Sequence, residues 1–268
     1  MPFRMKFGNI FRKIPSRNLK TESENTISQY NDWFYSFEFT NGAATIVANT
    51  EVNKIHANRA EIIFPFLDEL YRGKWQQVNC LDIACNQGWF SSQIAIRGAH
   101  QVTGIDIREE HIRRANTIKG LSNLTNLNFN VKDFLEIDPT TCEKADLVLF
   151  LGILYHLDNP LQAIRKIRSL TKNLCIIETQ VAKSNSELEC CWGSDLQNRK
   201  GPALAVIASD QEHVGSNKPL VLVPTLNALY RMLYASGFEH LFVGIPTETM
   251  EEQFQNFDRV IIFAFVDD

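Results

Sequence analysis

Two things the 268-residue sequence lacks narrow its class. No run approaches the roughly 20 consecutive apolar residues that span a bilayer, and no C-x-x-C pair or His-rich spacing marks a zinc site. The six cysteines are scattered: Cys80, Cys85 and Cys175 lie in or beside apolar segments that read as buried strands, and Cys190 and Cys191 are adjacent. Neither a disulfide scaffold nor a bound metal is expected, and the thiols suit a reducing, cytoplasmic setting. The start, MPFRMKFGNIFRKIPSRNLK, has no small-residue cleavage site and does not read as a secretory signal. Internal repeats and low-complexity tracts are absent. With 44% hydrophobic, 22% charged and 10% aromatic residues, the composition excludes disordered, collagen-like and coiled-coil classes.

Acidic residues are also missing from the first twenty positions, which hold six basic ones: Arg4, Lys6, Arg12, Lys13, Arg17 and Lys20. The whole chain carries 27 Lys plus Arg against 31 Asp plus Glu, a net -4, so residues 21–268 carry a net -10. An acidic body disfavours a broad nucleic-acid surface, which would be basic. In the leader, Phe3, Phe7, Ile10, Phe11 and Ile14 fall near helical spacing. It is expected either to make peripheral contact with an anionic membrane or RNA, or to be a solvated lead-in.

Tyr35, Phe37 and Phe39 alternate with polar residues up to Asn41-Gly42, and a second β-prone run, Ala43 to Val47, follows. This predicts a two-stranded hairpin whose two turn residues both have positive φ. Thr50 is expected to cap a helix with Ile55, Ile62, Ile63, Phe66, Leu67 and Leu70 on one face, kinked or split at Pro65 and ended by Gly73. From about residue 79, strand and helix alternate. VNCLDIA, HQVTGIDI, LNFNV, DLVLFLG and NLCIIET are apolar, β-prone runs; GWFSSQIAIRG, REEHIRRANTIKG and LQAIRKIRSL read as helices. PTLNALYRMLYASGF adds an amphipathic helix, and HLFVGI and RVIIFAFV two last strands. Such alternation means a parallel sheet covered on both faces. The stretch at about 181–223, rich in Ser, Asn, Gly and Lys, interrupts the rhythm and is expected to be a lid. The chain thus divides into a basic leader at 1–25, a hairpin and helical cap at 26–76, and one sheet domain at 77–268 with the lid inserted.

In open α/β sheets a ligand sits beyond the carboxyl ends of the strands, beside the first one. The loop there runs from Asp82 through Ala84, Cys85 and Asn86 to Gly88 and opens into the helix of Trp89 and Phe90. Asp106, at the end of the second strand, stands where an acid accepts hydrogen bonds from ribose hydroxyls. Asp133, after the third strand, offers a carboxylate for an adenine amino group, with the ring of Phe134 for the adenine face. The ordered set describes an adenosine-shaped site. A dinucleotide wants G-x-G-x-x-G so that a pyrophosphate can approach the backbone. Only Gly88 is present here, which favours an adenosine ligand with an amino-acid tail and no phosphate.

In these motifs the chain resembles the class I S-adenosylmethionine-dependent methyltransferases: DIACNQG at the first motif, GIDI at the ribose acid, VKDF at the adenine position and DLVLFLGILYHLDNP at the fourth. The resemblance covers roughly residues 77–268. It implies an α/β, Rossmann-like, seven-stranded, mostly parallel sheet with helices on both faces and an antiparallel last strand, and S-adenosyl-L-methionine as cofactor. Carried over by position, it implies that Asp82, Ala84, Cys85, Asn86 and Gly88 shape the methionine pocket, that Asp106 holds the ribose and that Ile107 beside it contacts the cofactor. Asp133 and Phe134 then meet the adenine, and Gly152 borders the cofactor. The family loop more often reads D-x-G-C-G-x-G, with Ala84 and Asn86 replacing the first two glycines here; Asn tolerates left-handed backbone, so a tilted loop is expected.

Within the family, ILYHL followed by NPL, Glu178 ending the fifth strand, and Arg259 opening the last strand resemble the tRNA wobble-uridine carboxymethyltransferases. Those enzymes hold a carboxylated cofactor through a Lys, a Tyr and an Arg. Tyr155 and Arg259 match two of these, while the third falls near Tyr35 in a segment, Trp33 to Phe39, without lysine; plain S-adenosylmethionine is then expected. Methyl transfer needs alignment, exclusion of water and, for a hydroxyl or ammonium nucleophile, a base. His156 is the first candidate base, with Tyr155 lining the pocket and Glu178 orienting the acceptor. Tyr35, His213 and Arg259 are candidate acceptor contacts, and His56 and His213 alternative bases. The expected reaction is methyl transfer to an O or N nucleophile of a small metabolite, sugar or lipid-linked acceptor. The alternatives are a tRNA-modifying enzyme, or an inactive cofactor-binding protein acting by interaction.

Overall fold

A computed structural model describes residues 10–183, 202–208 and 220–267. The chain begins with α1 (Lys20–Ile27) and α2 (Thr50–Leu70), then alternates β1 (Asn79–Ile83), α3 (Trp89–Ile96), β2 (Gln101–Asp106), α4 (Glu109–Gly120) and β3 (Leu127–Val131). β4 (Ala145–Leu151), α5 (Pro160–Leu170) and β5 (Thr171–Gln180) follow. β6 (Leu204–Ala208) and β7 (Leu220–Pro224) precede α6 (Leu226–Ala235), β8 (His240–Val243), α7 (Glu252–Gln255) and β9 (Arg259–Phe265).

Seven strands form one sheet in the order β3-β2-β1-β4-β5-β9-β8. β1 to β5 are parallel, and β9 runs antiparallel between β5 and β8. Because successive side chains point to opposite faces, Leu147 and Leu149 join α2, α3 and α4 in one core, whereas Val148 and Phe150 join α5 and α6 in the other. The Rossmann-like architecture and the antiparallel last strand are as expected. Strand order reverses between β1 and β4, so their carboxyl ends open the crevice that such sheets use for ligands.

The N-terminal cap departs from expectation at the hairpin and at the cap of α2. Instead of a regular hairpin, residues 33–47 make isolated bridges, Trp33 with Val47 and Glu38 with Ala44. The turn is a three-residue loop: Gly42 N–H donates to Phe39 O (3.0 Å) and Phe39 N–H to Ala43 O (2.9 Å). Only Gly42 (φ 88°) is left-handed there, not Asn41. The cap of α2 is Asn49, whose side chain accepts from the N–H groups of Glu51 and Val52, rather than Thr50. α2 also runs through Pro65 without splitting. One missing N–H does not break a helix anchored by the fully buried Ile63, Phe64 and Leu67.

The leader is docked from residue 10 onward. Ile14 is buried and bridges to Phe39, and Arg97 donates to Ile10 O (2.9 Å). Of its described hydrophobes Ile10 and Ile14 pack inward, whereas Phe11 is 40% exposed beside Trp89; Phe3 and Phe7 lie outside the described residues. β6 and β7 pair as an antiparallel ribbon within the expected lid. Among the described residues, no helix is long and apolar enough to cross a membrane.

Candidate functional site

The loop between β1 and α3 carries three left-handed residues at alternate positions: Ala84 (φ 57°), Asn86 (φ 52°) and Gly88 (φ 80°). These are the positions of the family's three glycines, and the backbone keeps the glycine conformation at two of them without glycine. At Gly88 a side chain is excluded twice over, by φ and because a Cβ would fall 2.3 Å from the Phe129 ring. The loop is tied down by Cys85 N–H on Ile105 O (2.9 Å) and Asn86 N–H on Asp106 Oδ2 (3.0 Å). Beneath it, Ser91 donates to Asp82 Oδ2 (2.5 Å), and burial pushes the Asp82 carboxyl up to about 7.

Asp106 ends β2 with its carboxylate buried at the crevice. Its Oδ1 accepts from Arg108 N–H (2.9 Å) and Nε (3.1 Å), so the Arg108 guanidinium folds back over the group expected to hold a ribose. Ile107 is 66% exposed beside it, an apolar side chain open to a ligand. Asp133 is partly exposed and accepts from Leu135 N–H (2.9 Å). The ring of Phe134 differs from expectation: it is buried against Phe150 (5.4 Å between centroids), so it serves the core and is not open to an adenine face.

The N-terminal cap straps across this loop. Gln87 accepts from Phe34 N–H (2.8 Å) and donates to Asp32 O (3.4 Å), while Trp89 Nε1 donates to Ser36 O (3.0 Å). Between these anchors the buried Tyr35 stacks on Trp89 (6.2 Å, 9° between planes) and on His56 of α2 (4.2 Å). Trp33 is buried core, with its Nε1 on Ile27 O (3.2 Å).

Beyond the ends of β4 and β5, charged groups converge. Glu178 is fully buried, with Arg59 Nη2 2.6 Å from Oε2 and Arg259 Nη1 2.6 Å from Oε1. Burial works against the Glu178 carboxylate, but the two guanidiniums outweigh it and hold the group below its ordinary range. Arg259 also donates through Nε to Gln253 (2.7 Å), lies over the Tyr155 ring (5.2 Å) and reaches its hydroxyl (3.4 Å). Arg59 enters from α2 where Gly152 leaves space: a Cβ there would sit 2.5 Å from its Nη2. Gly152 thus admits a guanidinium at the edge of the crevice.

Tyr155 and His156 stand half-buried on a short 3₁₀ turn, Leu154–His156, after β4. Burial, Arg108 and Arg259 push the His156 imidazole down to about 4, which leaves it neutral at physiological pH. His56 is also held neutral, by burial and by Arg59. Its Nδ1 lies 3.1 Å from Arg59 Nη1. Arginine can only donate, so this contact uses the His56 lone pair and disqualifies it as a base. His213 lies outside the described residues.

The structure brings Asp82, the 84–88 loop, Asp106, Ile107, Tyr35, Tyr155, His156, Glu178 and Arg259 to one end of the sheet. His56, an alternative base in the sequence, and Gln87 of the first motif also lie there, and the structure adds Arg59 and Arg108. Arg59 and His56 lie one turn apart among the buried residues of α2, where Asn58 is the other polar one.

A family model described as methyltransferase domain matches residues 75–221. The tRNA U34 carboxymethyltransferase of Desulfotalea psychrophila is 31% identical over 103 residues, covering 37% of this chain and 31% of that protein. The same-named protein of Nautilia profundicola is 22% identical over 188 residues, 65% of this chain and 52% of that one. The ubiquinone biosynthesis O-methyltransferase of Neisseria meningitidis serogroup C is 28% identical, over 34% of this chain and 39% of that one. The alignments therefore span about a third to a half of the curated relatives' length. Among solved structures, the N-terminal domain of EvdMO1 with SAH bound superposes with a TM-score of 0.66 at 16% identity, covering 97% of this chain and 98% of that one. Magnesium protoporphyrin IX methyltransferase from Synechocystis with bound SAH gives 0.55 at 17% identity, covering 82% and 88%. With its matched domain, its left-handed first loop and its sheet order, the chain belongs to the methyltransferase domain family and has the class I, S-adenosylmethionine-dependent architecture.

Proposed function

We propose that this protein transfers the methyl group of S-adenosyl-L-methionine to an oxygen or nitrogen nucleophile of a small-molecule acceptor. The observation that carries this reading is the Ala84–Gly88 loop. Its three left-handed residues open onto the start of α3 and aim Asn86 N–H at Asp106, a cradle for an amino-acid tail next to a ribose acid. In this reading Asp82 and the loop hold the methionyl part, Asp106 takes the ribose hydroxyls in place of Arg108, and Ile107 covers the base. Tyr35 and Tyr155 line the methyl end and exclude water. His156 takes the acceptor's proton. Burial and the cations around it disfavour the imidazolium, so it works best when acceptor binding offsets their field.

A second reading, wobble-uridine modification, is supported by the two similar relatives of that name and by Arg59, a cation beside Tyr155 and Arg259 where the local sequence offered no lysine. The net -10 of residues 21–268 weighs against a tRNA surface. Incubation with methyl-labelled S-adenosylmethionine and a cell extract, split into ultrafiltered metabolites and tRNA, tests the choice. Label in the metabolite fraction supports small-molecule methylation. Label in tRNA, with salt-sensitive tRNA binding, overturns it. Cofactor binding without label in either fraction would favour an interaction protein.

A further inference from the structure

Two buried arginines face one buried glutamate at the end of β5. Arg59 is 6% exposed, Arg259 4% and Glu178 0%. Arg259 Nη1 donates to Oε1 at 2.6 Å, while Arg59 Nη2 stands 2.6 Å from Oε2 as an ion pair without hydrogen-bond geometry. His56, the nearest other titratable side chain on α2, is neutral, so the cluster carries a net charge of one positive unit away from water. An unbalanced buried charge is costly and normally finds a counter-ion.

Donors are left over at the same place. Arg59 Nε is buried and has no hydrogen-bond partner. His56 accepts from Arg59 through Nδ1, so a neutral ring carries its proton on Nε2, and that atom is also buried and unpartnered. Both residues are more than nine-tenths buried. The cluster touches the expected methyl end of the crevice through Gly152, through Tyr155 under Arg259, and through Tyr35 stacked on His56.

We propose that Arg59, Arg259 and His56 form an anion subsite for the acceptor, which carries a carboxylate or phosphate beside the nucleophile to be methylated. This rests on the methyltransferase reading for its position and deepens it. The anion supplies oxygen acceptors to the two orphan N–H groups and cancels the surplus charge. Arginine's planar fork favours such groups over neutral polar ones. The same negative charge, set among the cations that face His156, favours protonation of its ring, so the base becomes effective only with the acceptor in place.

The test uses full-length protein saturated with S-adenosylhomocysteine, with benzoate, phenyl phosphate and the neutral benzamide titrated at constant ionic strength and followed by NMR. The proposal expects at least one anion to bind about 10-fold or more tightly than benzamide, and Arg59→Gln to abolish that preference. Should Arg59→Gln fail to fold, Arg59→Lys, which keeps the charge but not the fork, is expected to reduce it. Equal binding of all three probes, or a preference untouched by the Arg59 variants, overturns the subsite. A parallel titration compares S-adenosylmethionine with its carboxylated form. An Arg59-dependent preference for the latter, without any for benzoate or phenyl phosphate, would place the anion on the transferred group and also overturn the proposal. Absence of S-adenosylhomocysteine binding would instead count against the methyltransferase reading itself.

Discussion

Gly88 shows how much of a cofactor loop depends on one missing side chain. Its φ of 80° is unfavourable for any L-residue, and the Phe129 ring already occupies the Cβ position. Gly88→Ala is expected to destabilise the fold by about 2 to 4 kcal/mol, adding left-handed strain to overpacking. A Phe129→Leu partner should recover the steric share; urea unfolding of the single and double variants measures both. Asp82 gives a pH signature. Its folded carboxyl stands near 7, above the 3.8 of a free aspartate, because it is buried. The unfolded chain therefore holds fewer protons there between about pH 4 and 7. The sign follows: the Asp82 contribution to stability is fully present below about pH 4 and is lost as pH rises towards 7. Asp82→Asn should flatten that part of the stability curve, and an unchanged slope would show that the carboxyl titrates normally.

At the scale of elements, the strap from Asp32 to Ser36 over the first loop is held mainly by Gln87 and Trp89. Gln87→Ala leaves the Phe34 N–H without its acceptor and is expected to cost about 1 to 2 kcal/mol, with faster amide exchange confined to residues 32–37. Uniform exchange across the sheet would contradict the local strap. The sheet itself was legible beforehand, because β-prone runs alternate with amphipathic helices and local signals agree with the global fold. Asp82, Gly88 and Asp106 were legible for the same reason, since strand ends place them. Arg59, Arg108 and the arginine contact of His56 were not. Their roles come from packing between α2, β5 and β9 or from a side chain folding back on its own loop, and neither leaves a spacing pattern. The turn at Gly42 was misread because Asn-Gly suits two turn types, and the N-cap of α2 because Asn49 and Thr50 are both capping residues. β6 and β7 lie in polar surroundings that masked their short apolar runs.

At the scale of the molecule, the fold sets an acidic body, a cap docked from Ile10 onward, and a charged cluster at one end of the sheet. In the proposed function this end binds an adenosine-containing sulfonium cofactor with Asp106 as the ribose ligand. Calorimetric titration of the purified protein with S-adenosylhomocysteine tests it most directly. One saturable site is predicted, weakened by about 1 to 3 kcal/mol in Asp106→Ala, roughly 10- to 100-fold in affinity. A folded protein that shows no saturable binding would rule out the cofactor site, and an Asp106→Ala variant with unchanged affinity would rule out Asp106 as its ribose ligand.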